Sequence, residues 1–120
     1  MNNSASLQPR DIVTVRQTIV DGQQIKDRMW VVISKNILHQ NSSGCILIAI
    51  TTSISTNSYM MQIKSTDLES GTLHKPLDSK VVTDKPVWTK LSDINNVVGK
   101  VTHNFYNNLK NKIKNDVLEI

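Results

Sequence analysis

The chain has 120 residues, 38% of them hydrophobic and 20% charged, a size and balance that suit one folded domain with its own core and exclude disorder. Its apolar runs fall far short of the about 20 residues that a membrane-spanning helix needs, and the opening MNNSASLQPR lacks the basic-then-apolar order of a secretory signal. A surplus of 14 Lys plus Arg over 10 Asp plus Glu gives a net charge of +4, which is compatible with a nucleic-acid or acidic partner but does not require one.

Residues 1–8 read as a flexible tail, and residues 9–120 as a single domain. Pro9, Arg10 and Asp11 open a first strand at 12–15, rich in β-branched side chains. Residues 16–27 (RQTIVDGQQIKD) are a polar connecting loop with a turn signal at Asp21-Gly22. Two strongly apolar strands follow, at 29–34 and 45–50, joined by a polar connection that Gly44 closes. Cys45 stands alone in the second, with no basic neighbour to lower its pKa, and reads as a small core hydrophobe. With no signal sequence and no cysteine framework, the expected location is the cytoplasm. Residues 59–64 alternate as a fourth strand, 65–78 read as loop, and 80–83 and 87–90 are extended on either side of Pro86. Residues 91–101 read as a short helical or irregular link.

The last element is the clearest helix, at about 102–118. Thr102 is its N-cap, and Val101 is placed to staple against Tyr106. Phe105, Leu109, Ile113 and Val117 form one apolar stripe, and Lys110, Lys112 and Lys114 suit the negative end of the helix dipole. Short strands followed by one helix predict a mainly β fold, a small bent barrel with a C-terminal helix packed on it.

Most familiar chemistries find no motif. His39, His74 and His103 lie in separate segments with no Cys pair or HExxH, so no metal and no cofactor is expected. Neither a phosphate-cradling glycine loop nor a GxSxG elbow is present. Two Trp, two Tyr and one Phe are too few for a base-stacking platform. What remains is Arg28, before the first apolar strand, and Thr51, Thr52 and Ser53, after the second. If these strands pair antiparallel, the guanidinium and the hydroxyls meet at one rim of the sheet, an arrangement suited to holding a phosphate. A surface ion pair with Asp27 and ordinary strand threonines would account for the same residues.

The order of motifs narrows this choice. PRDIVTV, a polar loop, DRMWVVIS, GCILIAITTS, DSKVVTDK and VVGKV ahead of the helix together resemble the MazF/PemK family of toxin endoribonucleases, over roughly residues 9–118. The resemblance implies an SH3-like barrel and a homodimer that cuts single-stranded RNA without a metal and is restrained by a cognate antitoxin. Arg28 matches the family's arginine on that strand and Thr51 its catalytic threonine. Gln23 and Lys26 fall in the loop that closes over RNA or antitoxin, and Thr52 and Ser53 continue the threonine position toward phosphate or base. The chain departs from the pattern in two places. Met29 replaces the proline after the arginine, and Val87 stands where the PemK branch carries a second catalytic arginine, leaving Lys85 or Lys26 as the cations expected to stand in. That loss keeps open a non-catalytic alternative, a barrel of the same type acting through a partner, like the gyrase poisons of related fold.

Overall fold

The computed structural model describes residues 7–15, 19–20, 23–24, 28–52 and 56–119. Ten strands occur among them: β1 (Asp11–Val15), β2 (Ile19–Val20), β3 (Gln23–Gln24), β4 (Met29–Val32), β5 (Gly44–Thr51), β6 (Met60–Gln62), β7 (Leu68–Ser70), β8 (Lys80–Val82), β9 (Val87–Lys90) and β10 (Ile94–Val101). The helices are α1 (Asn36–Ser42) and α2 (His103–Lys112), and a π-helical turn, Ile113–Val117, prolongs α2. The main sheet runs β6-β8-β5-β4-β1-β10-β7, with β9 also paired to β5, while β2 and β3 form a separate two-stranded ladder. The mainly β fold with a C-terminal helix is as expected. The closed barrel is not seen: the strand path ends at β6 on one side and β7 on the other, with no ladder joining them among the described residues.

β5 explains the sheet's architecture. Its residues 45–50 are apolar without alternation because both faces of the strand are covered. Ile48 and Ile50 face the side where Phe105, Leu109 and Ile113 of the C-terminal helical segment pack, and Tyr106 closes that core by donating its hydroxyl to the Ile33 carbonyl at 3.1 Å. Cys45 and Leu47 face the other way, into a smaller cluster with Val13, Val32, Ile94 and Leu7, a residue that the sequence places in the tail. Burial pushes the Cys45 thiol up to about 11, which makes it a poor nucleophile at neutral pH. Thr102 caps α2 as its position suggests, its hydroxyl accepting from the Phe105 amide at 3.1 Å.

Four segments differ from the sequence expectation, the first being the polar loop at 16–27, which contains the β2–β3 ladder. The polar connection before Gly44 contains α1, whose last turn ends at Ser43 in the left-handed region, φ 56°. Residues 94–101 are not a link but an eight-residue strand between β1 and β7. The loop at 65–78 contains a 3-10 turn, Ser65–Asp67, and the short edge strand β7. In β10 tertiary pairing overrides weak local preference, since Asn95, Asn96 and Gly99 are poor strand formers on their own.

His39 shows what α1 is for. The side chain is 1% exposed. Its Nδ1 lies 3.1 Å from the Leu7 carbonyl, which can only accept, so that nitrogen carries the proton. Nε2 then accepts from the Ser34 hydroxyl at 2.6 Å, and Ser34 Oγ in turn accepts from the Ile46 amide at 2.9 Å. The chain of bonds ties the N-terminal segment, β4, α1 and β5 together, and makes His39 a structural residue.

Candidate functional site

The site is a row of side chains across the sheet at the C-terminal end of β5. β4 pairs antiparallel with β5 through Trp30↔Ala49, Val31↔Ile48 and Val32↔Leu47. The ladder ends at Trp30↔Ala49; the same register carried two residues further would set Arg28 level with Thr51. On the opposite flank of β5, Thr51 pairs directly with Lys80 of β8, and Lys80 pairs in turn with Gln62 of β6. Residues opposite one another in an antiparallel ladder project from the same face. Thr51, Lys80 and Gln62 therefore form one line, Thr51 and Lys80 half-buried and Gln62 exposed, and the extended β4–β5 register would add the exposed Arg28 at its other end.

Alternation fixes which face this is. Ile50 and Val81, one residue along from Thr51 and Lys80, are buried on the helix side. The row consequently lies on the face away from α2, at the end of the smaller core. Its inner neighbours, Trp30 and Ala49, form the next row on the same face, and Trp30 packs against that core. The folding logic is economical: two apolar strands are held by the sheet's interior, and their polar ends emerge side by side at its rim. A guanidinium, an ammonium, a hydroxyl and a carboxamide, with no carboxylate among them, can neutralise and hydrogen-bond an anion.

The other expected site residues fall differently. Thr52 is exposed just beyond the end of β5. Lys85 is exposed in the turn between β8 and β9, which passes β5 between the level of Ile50, paired to Val81, and that of Leu47, paired to Val87. It does not stand opposite Thr51. Gln23 is a strand residue paired with Val20 in the two-stranded ladder. Lys26 and Ser53 lie outside the described residues. Val87 pairs with Leu47, four positions before Thr51 and so roughly 13 Å away along the strand. The basic group beside Thr51 in this register is Lys80, which sequence reading passed over. Its segment, DSKVVTDK, was visible, but the partner of each residue in it is set by a long-range register that local pattern does not carry.

The described residues include no cluster of His, Cys, Asp and Glu able to hold a metal ion, and no helix among them is long and apolar enough to cross a membrane. Elsewhere, beside α1, lies an open groove of about 450 Å³ lined by Ile33, Ser34, Lys35, Leu38, Asn41 and Ile46. Trp88, 54% exposed, pairs with Ile46 and lays its indole where a side chain at position 44 would stand, which is why Gly44 serves there.

Residues 8–116 match the PemK-like, MazF-like toxins of type II toxin-antitoxin systems. The chain belongs to that family. Solved structures agree in fold. The Mycobacterium tuberculosis toxin MazF-mt6 superposes with a TM-score of 0.68 at 18% identity, covering 92% of this chain and all 100% of that one. MazF from a MazE-MazF crystal of Deinococcus radiodurans gives 0.67 at 9% identity, over 89% of this chain and 92% of the other. An endoribonuclease from a mycobacterial species, solved in complex with its cognate antitoxin, gives 0.61 at 14% identity, over 90% and 91%. A sequence search of curated proteins returns no match.

Proposed function

We propose that this toxin-family chain is an endoribonuclease that cleaves single-stranded RNA, messenger RNA included, in the cytoplasm. The observation that carries the reading is the antiparallel β4–β5 register, which, carried two residues past Trp30↔Ala49, would bring Arg28 level with Thr51, in a chain of this family. In the proposed reaction the 2′-oxygen of one nucleotide attacks its own 3′-phosphorus. The 2′-O–P bond forms, the P–O5′ bond breaks, the 2′-hydroxyl proton passes to a base, and the departing 5′-oxygen takes up a proton. The products are a 2′,3′-cyclic phosphate, which hydrolyses to a 3′-phosphate, and a 5′-hydroxyl. Because the nucleophile is internal, this route does not call for a metal. Arg28 supplies charge and paired donors to the phosphorane oxygens, and Thr51 holds the scissile phosphate in line. Thr52 and Ser53 contact phosphate or base beyond it, and the segment carrying Gln23 and Lys26 contributes to RNA contact.

The proposed partners are a cognate antitoxin protein, as for the mycobacterial endoribonuclease solved with its own, and a second copy of this chain. A second reading, a non-catalytic family member acting by binding alone, is favoured by Val87 in place of the second arginine. Induced expression with transcriptome-wide mapping of 5′ ends separates the two. Wild type should arrest growth and generate new 5′-hydroxyl ends, while Arg28→Ala and Thr51→Ala should do neither. Identical growth and identical ends in all three would remove the catalytic assignment.

A further inference from the structure

The site contains a cation that the Arg28–Thr51 pair does not account for. Lys80 is directly opposite Thr51 on β8, on the flank of β5 away from Arg28. Neighbouring strands are about 4.8 Å apart, so Arg28 and Lys80 straddle Thr51 with roughly 10 Å between their backbones. Both side chains are long enough to lean inward over the threonine from either side. Gln62, exposed and paired with Lys80, extends the same row by one more strand. The alternation that buries Val81 against the helix side leaves Lys80 on the outward face with the rest of the row.

We infer that Lys80 is the second phosphate-binding cation of this site, and that the RNA path crosses the strands from Arg28 toward Gln62. The inference rests on the ribonuclease reading for its catalytic half. A phosphorane formed by internal attack carries more negative charge on its non-bridging oxygens than the ground-state phosphodiester. A guanidinium on one side and an ammonium on the other meet that increase better than either alone. This also gives the absent arginine at position 87 a physical counterpart. Position 87 is level with Leu47, whereas the basic residue level with the threonine is Lys80. Gln62, with a donor and an acceptor on its amide, is placed to contact the nucleotide next to the scissile phosphate, and so contributes to sequence preference rather than to rate.

The test uses two probes, a randomised-sequence single-stranded RNA pool and the same pool fully 2′-O-methylated, which has no attacking hydroxyl. Binding of the methylated pool is followed against salt for wild type, Lys80→Met, Lys80→Arg, Gln62→Leu and Arg28→Ala, with thermal melting as a check on folding. Lys80→Met should flatten the slope of log K against log salt by about 0.7, the share of one phosphate contact on a single strand. It should also lower kcat on the unmodified pool by roughly 10²-fold, a loss of the size seen when one charge-stabilising donor is removed, while Lys80→Arg keeps most of both. Gln62→Leu should shift the cleaved sequences. A wild-type slope and kcat in a folded Lys80→Met protein would overturn the inference while leaving Arg28 and Thr51 untouched. A wild type that binds with a Lys80-dependent slope yet cuts nothing would support the phosphate contact and sink the ribonuclease reading. A wild type that binds neither pool would overturn both.

Discussion

Two polar groupings flank the β4–β5 ladder, one at each end, and are opposite in character. His39 and Ser34 are buried, and every hydrogen-bonding nitrogen of the imidazole is used internally, on Leu7 and on Ser34. Arg28 and Gln62 are exposed, at the two ends of a row through Thr51 and Lys80 that opens at the rim of the sheet. In the sequence, a histidine and a serine beside an apolar strand look at least as chemical as an arginine and a threonine. The structure separates them by position: the His39–Ser34 network is buried, while the row at the strand ends reaches the surface. A saturated buried network fixes the architecture; cations and hydroxyls aligned at an exposed strand end have a surface to offer a substrate.

Substitutions in the two groupings should have opposite consequences. The largest effect should be Thr51→Ala or Arg28→Ala on RNA cleavage by purified protein, a loss of about 10²-fold to 10³-fold with melting temperature almost unchanged. His39→Ala should do the reverse. Leaving Ser34 and the Leu7 carbonyl without their partner and opening a void should cost about 3 kcal/mol in urea unfolding, while cleavage per folded molecule stays near wild type. If His39→Ala instead abolished cleavage without loss of stability, the two groupings would have exchanged roles. Thr102→Ala, which removes the α2 cap, should cost about 1 kcal/mol of stability and leave RNA binding alone.

The smallest effect concerns Cys45. Its folded-state pKa, about 11, lies above the ordinary thiol value of 9.0. Between these values the folded thiol keeps its proton while the unfolded one releases it, so the contribution of this group is fully present below pH 9.0 and declines as pH rises toward about 11. Unfolding titrations of wild type and Cys45→Ala across this range should converge at the alkaline end. At neutral pH a thiol reagent should label Cys45 only after denaturant is added.

The parts of the molecule readable in advance are those where local pattern and tertiary role coincide. The unbroken apolar run of β5 fits a strand covered on both faces, and the stripe from Phe105 to Val117 fits a helix on a sheet. The antiparallel pairing of β4 with β5 was readable because the two apolar strands follow one another in the chain. α1 was not, since a seven-residue helix without a side-chain cap offers no sustained period. Nor was β10, whose Asn95, Asn96 and Gly99 disguise a strand paired on both sides. Lys80 escaped for a different reason. Its neighbourhood depends on β8 and β9 sharing one flank of β5, with the Asp84-Lys85-Pro86 turn between them, and nothing local in DSKVVTDK encodes which residue lands beside Thr51.

The most direct test of the central claim is end-group analysis of RNA treated with purified protein in EDTA. The reading proposed for this site predicts fragments ending in 2′,3′-cyclic phosphate or 3′-phosphate, paired with 5′-hydroxyl ends, from wild type but not from Arg28→Ala. Intact RNA with the wild type, fragments bearing 5′-phosphate and 3′-hydroxyl ends, or equal cleavage by the folded Arg28→Ala protein would contradict it.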